Sequence, residues 1–286
     1  MSTIKKNTLD IIKQTSIQER NSILEKIELL FPKLDVYYNI EKIKKYKNEI
    51  IEYNNYFDTT TIKDSEETLI GSLINNASQQ FCFWIDPERQ NLRSLKSSDF
   101  YNINIYNNDI YNIINRKAIT LRKERFLIAE ECQKIFQDYF PSAIENFIND
   151  TWIFNIDFFK KKKNLFFMLL WRYRKILNIE NLLDSDWINS INPAVDYQIP
   201  KILNYLGIIN YPESLMEKIN NGVIIEKDSM DELFIRSLTY KVLIEIQNKY
   251  PELNQLNLDI FLWDNRNKLI LDKPCSPYHC TITTDY

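Results

Sequence analysis

The chain has 286 residues, a formal net charge of −3, 44% hydrophobic and 13% aromatic residues, and only 3 glycines. That length suits one large domain or two small ones with a core of ordinary depth. The acidic balance lacks the basic face that nucleic-acid binders carry, and Gly71, Gly207 and Gly222 cannot write a G-x-G-x-x-G or P-loop pattern, which excludes glycine-rich phosphate cradles and disfavours turn-rich β folds.

Taken in chain order, residues 1 to 55 carry aliphatic positions at helical spacing. Ile11, Ile12, Ile23, Leu24, Ile27 and Leu30 mark the expected buried faces, and Pro32 ends a helical hairpin. The polar stretch Asp58 to Glu67 reads as a loop and Thr68 to Asn75 as a short helix. Phe81 to Asp86, written Phe-Cys-Phe-Trp-Ile-Asp, reads as a short buried strand or a pocket wall. Residues 91 to 140 predict three helices, the clearest from Leu121 to Phe140, and the helical pattern continues over 143–150, 164–179, 199–206, 213–221 and 230–249. The run Lys160 to Lys163 reads as solvating a loop between helices, with phosphate binding as the alternative. Only Cys280 to Tyr286 alternates like a strand. With no internal repeat and no low-complexity linker, residues 1–286 read as a single mainly α domain with minor short strands: a helical N-terminal extension over 1–60 and a core over 70–286.

Cys82, Cys132, Cys275 and Cys280 are scattered without a C-x-x-C pair, and no apolar leader precedes the first helix, so a cytoplasmic chain with free thiols is expected. One histidine, His279, with no H-E-x-x-H or paired Cys/His spacing predicts no zinc site. The longest apolar stretch, Leu165 to Trp171, is too short to cross a bilayer.

The segment Val195 to Lys201 sets one carboxylate, Asp196, directly ahead of an apolar helix written Ile199, Ile202, Leu203 and Leu206, with Gly207 as its stop. An acid at the mouth of a packed helix meets backbone N–H groups and the positive end of the macrodipole. The structural reading of the same residue is a helix N-cap, since Asp is among the commonest caps. Pro200 sits awkwardly with that reading, because it would fall at the fourth helical position, where its missing N–H begins to matter.

Further on come Tyr211 and a leucine-containing helix, Glu232-Leu233-Phe234-Ile235-Arg236, Leu262-Trp263-Asp264, Pro277-Tyr278-His279 and a terminal tyrosine. In order and spacing, and with the Asp196 helix at their head, these resemble the queuosine salvage proteins, the queuosine 5′-phosphate N-glycosylase/hydrolase family. The family's counterparts are D-Y-R-V-P-Q, E-x-E-I-R, a leucine-tryptophan pair and P-F-H. Upstream, Phe81 to Trp84 resembles N-F-x-F-W, and Trp171-Arg172 with Ile176-Leu177 stands where the family writes Y-K-R-A-Q-I-L. The likeness covers residues 70 to 286, whereas the first 60 match only in being helical. Gln198 replaces the family's arginine, Phe234 its second glutamate and Arg172 its lysine, which keeps the charge and changes its shape.

The resemblance implies an all-α fold related to the helix-hairpin-helix DNA glycosylases, whose V-D-x-x-V signature is similar to Val195-Asp196-x-x-Ile199, with Asp196 catalytic. It also implies cleavage of the N-glycosidic bond of queuosine 5′-monophosphate to queuine and ribose 5-phosphate, without a metal or organic cofactor. Breaking that bond builds positive charge on the sugar, so the site needs a fixed anion and a placed water, both tasks for Asp196. Candidates for the 5′-phosphate are Arg172, Arg236 and His279. Candidate aromatic walls for the base are Phe83, Trp84 and Trp263.

Each has a plainer reading: Trp263 as core, Arg236 as the i, i+4 partner of Glu232, His279 as a satisfied structural histidine. Tyr197 and Glu232 are candidates to hold Asp196 and Arg236 in turn. The expected partner is a small nucleoside 5′-monophosphate rather than nucleic acid or membrane. Two rivals stand beside this reading. One is a DNA-base glycosylase, which would need a glycine-rich hairpin and a basic surface. The other is a non-catalytic helical scaffold in which Asp196 only caps.

Overall fold

The computed structural model describes residues 6–52, 66–81, 109–116, 121–139, 157–177, 179–181, 183–264 and 279–283. Its helices are α1 (Lys6–Leu30), α2 (Lys47–Glu52), α3 (Glu66–Gln79), α4 (Asp109–Arg116), α5 (Arg122–Tyr139), α6 (Asp157–Arg172), α7 (Ser185–Ser190), α8 (Gln198–Tyr205), α9 (Glu213–Asn220), α10 (Met230–Lys249) and α11 (Gln255–Asp264). Among the described residues β pairing is confined to two isolated bridges, Tyr38 with Ile209 and Ile224 with Cys280, so the fold is mainly α as expected. Of the strand expected over Cys280 to Tyr286, the described residues 280–283 make a single bridge at Cys280, and Thr and Ile alternation alone cannot make a strand without an edge to pair with. Two compact units form: residues 1–13, 59–184 and 282–286 make one, and residues 14–58 and 185–281 the other.

In the first unit α3 packs against α5 and α6, and α4 against α5. Leu69, Ile70, Leu73, Ile74 and Ala77 bury one stripe of α3 at i, i+3 and i+4 spacing. Arg125 on α5 is fully buried, donates to the carbonyls of Gln79 (2.8 Å) and Phe81, and lies 4.0 Å from the Phe81 ring. Those carbonyls follow the end of α3, where acceptors are orphaned and a cation suits the macrodipole. Burial pushes the Cys132 thiol up to about 12, so it stays protonated at neutral pH. Lys160 to Lys163 lie inside α6 rather than in a loop. Lysine is a good helix former, and the run leads straight into the buried Phe166, Phe167 and Leu170.

The second unit has one main core. Ile199, Ile202 and Leu203 of α8 meet Leu238, Val242, Leu243 and Ile246 of α10 and Leu258, Phe261 and Leu262 of α11. Ile27, Leu34, Ile43 and Ile50 join the same core, so the early part of the chain is built into this unit. α1 is one 25-residue helix and not a hairpin. Ile12, Ser16 and Ile27 share its buried stripe, while Ile11 is 43% and Leu30 49% exposed. Ile11 is turned about 100° from Ile12, and Leu30 is the last helical residue.

Beyond α1 the chain pairs with the loop after α8: Asn39 N–H donates to Ile208 O and Asn210 N–H to Tyr37 O, both at 2.7 Å. Phe234 meets Phe31 and Tyr37 edge-on, with ring centroids 5.5 and 5.1 Å away, which explains an aromatic residue where the family writes glutamate.

α8 stops at Gly207 as its sequence predicts. The glycine has φ +67°, and Ile208 N–H closes back on Leu203 O at 2.9 Å. A Cβ there would come within 2.9 Å of the Lys42 ammonium, which donates to Gly207 O at 2.8 Å.

Candidate active site

Asp196 is partly buried and lies one residue ahead of Tyr197, the N-cap of α8. Asp196 Oδ1 accepts the backbone N–H of Gln198 at 2.8 Å and of Ile199 at 2.9 Å. Its Oδ2 accepts the indole N–H of Trp263 on α11 at 3.2 Å. With Tyr197 as the N-cap, Pro200 is the third helical residue, a position whose N–H has no intrahelical partner. Three neutral donors from two helices therefore fix both oxygens of one carboxylate. The carboxylate thus satisfies the first N–H groups of α8 from the position before the cap.

The stretch leading into Asp196 is clamped from α1. Arg20 Nη2 donates to the carbonyls of Asn189 (2.9 Å) and Ile191 (3.0 Å), and its Nε donates to Asn192 Oδ1 at 3.2 Å. The buried Asn192 donates in return to Ser16 O and Glu19 Oε2, both at 3.1 Å, and accepts from the Tyr240 hydroxyl at 3.0 Å. Burial raises the Tyr240 phenol and lowers the Arg20 guanidinium from their ordinary values. Sequence reasoning missed this clamp. Its one signal was a charge at Arg20 lying in line with the buried Ser16 and Ile27.

A second cluster forms around Arg236 on α10. Its Nε lies 2.6 Å from Glu232 Oε1, and its Nη2 donates to Glu232 Oε2 at 2.8 Å and Asp228 Oδ1 at 3.1 Å. The i, i+4 spacing thus yields the expected ion pair. Glu232 is 1% exposed, whereas the Arg236 side chain keeps 30% of its surface. Glu232 also accepts from Asp228 N–H at 3.1 Å, and Ser229 caps α10.

His279 is buried; burial, then the Arg236 charge, pull its pKa down to about 4. At neutral pH it is an uncharged imidazole with one donor and one acceptor. It is followed by Cys280, whose carbonyl accepts Ile225 N–H at 2.8 Å and so docks the tail ahead of α10.

Asp196, Trp263, Glu232, Arg236 and His279 all belong to the second unit. Within it Trp263 joins Asp196, and His279 and Glu232 join Arg236. Tyr197 is buried beside Asp196 in the chain. Arg172 ends α6 in the first unit. Phe83 and Trp84, like Cys82, Cys275 and the helix expected over 143–150, lie outside the described residues. Trp263 was expected as a wall or as core, and its donor role went unread, although a partly buried indole N–H calls for an acceptor. Among the described residues no three His, Cys, Asp or Glu side chains form a group that could hold a metal ion, and no helix is long and apolar enough to cross a membrane.

Comparison with known proteins gives one family and several named relatives. A family model described as queuosine salvage protein matches residues 155–286. The chain is 27% identical, over 91% of its own length and 92% of the relative's, to a queuosine 5′-phosphate N-glycosylase/hydrolase of Dictyostelium discoideum. Proteins of the same name are 31% identical in Mus musculus, over 33% of this chain and 31% of the relative, and 28% identical in Sphaerobacter thermophilus, over 35% and 32%. The chain is therefore similar to the queuosine salvage family over its C-terminal part and to one named hydrolase over nearly its whole length.

Proposed function

We propose that this protein hydrolyses the N-glycosidic bond of queuosine 5′-monophosphate, or of a related 7-deazaguanine nucleotide, releasing queuine and ribose 5-phosphate so that the base can re-enter tRNA modification. The observation that carries the reading is the Asp196 carboxylate, fixed by Gln198 N–H, Ile199 N–H and the Trp263 indole in a chain similar over nearly its full length to an enzyme named for this reaction.

In this mechanism the C1′–N bond breaks with its electron pair leaving on the base, and positive charge builds on the ribose. Asp196 faces that charge and takes the proton of the water that adds to C1′; the departing base takes a proton from solvent, and Asp196 returns its own to solvent. General-base help of this kind is worth about 10² to 10⁴ in rate, with electrostatic stabilisation in addition. The donors on Asp196 are in place beforehand, so no reorganisation is needed as charge develops.

The exposed face of Arg236 takes the 5′-phosphate, aided by a His279 N–H, while Glu232 and Asp228 keep the guanidinium from swinging away. Binding at the phosphate, remote from the bond that breaks, orients the sugar against Asp196. The scattered cysteines, of which Cys132 and Cys280 are free, support a cytoplasmic setting.

The test is mass spectrometry of the products after incubation with a panel of nucleoside 5′-monophosphates that includes queuosine 5′-monophosphate. Release of free 7-deazaguanine-type base with ribose 5-phosphate is the expected result. A panel returned intact overturns the proposal.

A further inference from the structure

Gln198 opens α8 and is 8% exposed, yet its carboxamide oxygen is buried with no hydrogen-bond partner. Buried acceptors are nearly always paired, and one left alone weakens the fold. The backbone of the same residue donates to Asp196 Oδ1 at 2.8 Å, so the orphaned oxygen branches from a residue that already touches the carboxylate. A hydrophobic residue of similar size would fill this place without an unpaired atom. The family's arginine would bring donors and a positive charge instead, which Asp196 would meet as a counter-ion. Glutamine offers a neutral acceptor, suited to a hydroxyl or N–H donor on a ligand, and brings no charge of its own.

We infer that Gln198 is a specificity-determining residue whose carboxamide oxygen accepts a hydrogen bond from the ribose 2′-hydroxyl of the bound nucleotide. The inference rests on the hydrolase reading above for the placement of the sugar. If the anomeric carbon faces Asp196, the 2′-hydroxyl on the adjoining carbon is the sugar donor closest to the carboxylate and to the residue bonded to it. A 2′-deoxy sugar leaves the oxygen as unpaired as it is in the unliganded protein. A site built around a hydrogen bond rejects the ligand that lacks it far more strongly than a merely apolar site does.

The experiment compares queuosine 5′-monophosphate with its 2′-deoxy counterpart on the wild type and on Gln198→Met. Turnover and calorimetric binding are both measured. The wild type should prefer the ribonucleotide by roughly 10- to 100-fold in kcat/KM and in affinity. Gln198→Met should lose that preference while its Tm rises, because the variant no longer buries an unpaired acceptor. A methionine variant that keeps the wild-type preference overturns the inference, and so does a wild type indifferent to the 2′-hydroxyl, a result that needs no variant to fold. A protein that cleaves neither nucleotide yet binds the ribonucleotide more tightly, and loses this in Gln198→Met, sinks the hydrolase reading and keeps the Gln198 contact.

Discussion

Asp196 and Glu232 are both carboxylates near the start of a helix in the second unit, and their surroundings divide them. Neutral N–H groups grip Asp196, which remains partly exposed, whereas Glu232 is sealed to 1% exposure around the Arg236 guanidinium. Neutral donors orient a carboxylate without themselves supplying a counter-charge. A guanidinium partner supplies one. The difference teaches that two carboxylates at similar places in the chain can be held in opposite ways, one by neutral N–H groups and one by a guanidinium.

Substitutions can break or sharpen that contrast. The largest effect is expected from Asp196→Asn, which should lower base release by about 10² to 10⁴. It keeps an acceptor for the first N–H groups of α8, so urea unfolding should shift by less than ~1 kcal/mol. Undiminished turnover in this variant would erase the distinction between the two carboxylates.

Glu232→Ala should act in the opposite sense, lowering unfolding stability by about 1 to 3 kcal/mol because it removes the buried acceptor of Arg236 and of the Asp228 N–H and leaves Asp228 as the remaining carboxylate at Arg236. Its folded fraction should keep measurable turnover while KM rises.

A pH titration sharpens the second cluster. His279 binds its proton near pH 6.5 when unfolded and only near about 4 when folded. Between those values the unfolded chain holds more protons, so stability is full above pH 6.5 and falls as the pH drops toward 4, by on the order of 2 to 3 kcal/mol. Thermal melts across that window should show the slope, and His279→Gln should flatten it.

Trp263→Phe should have the smallest effect. It removes one hydrogen bond worth about 1 kcal/mol, so kcat should drop by about tenfold or less with KM held, read from steady-state kinetics.

What could be read from the sequence follows from how local each rule is. The bounds of α8, α9 and α10 fall within one residue of expectation, because an apolar period, a stop at Gly207 and a cap at Ser229 are all written nearby. The Glu232 to Arg236 pair is equally local. The lysine run misled because charge was read as loop, although lysine favours helices as well as solvent.

The backbone donors of Asp196 were foreseeable, but its indole partner was beyond reach, since Trp263 is 67 positions away and only the packing of α8 on α11 brings them together. Phe234 read as a departure from a family pattern until Phe31 and Tyr37 supplied its partners. Gln198 read as a substitution, and nothing in its neighbours along the chain announces an oxygen left unpaired.

The Arg20 to Asn192 contact spans 172 positions, and this bears on how the protein is made. At about 5 to 20 residues per second, the first helix emerges from the ribosome roughly 10 to 30 seconds before the loop it must grip. During that interval the apolar side of α1 is unpaired and open to chaperones. A copy truncated ahead of Ser16 at its N-terminal end would keep the grip, but one starting after Arg20 would leave the Ile191 carbonyl to water, with Gln247 alone on the Asn189 carbonyl, and slacken the approach to Asp196.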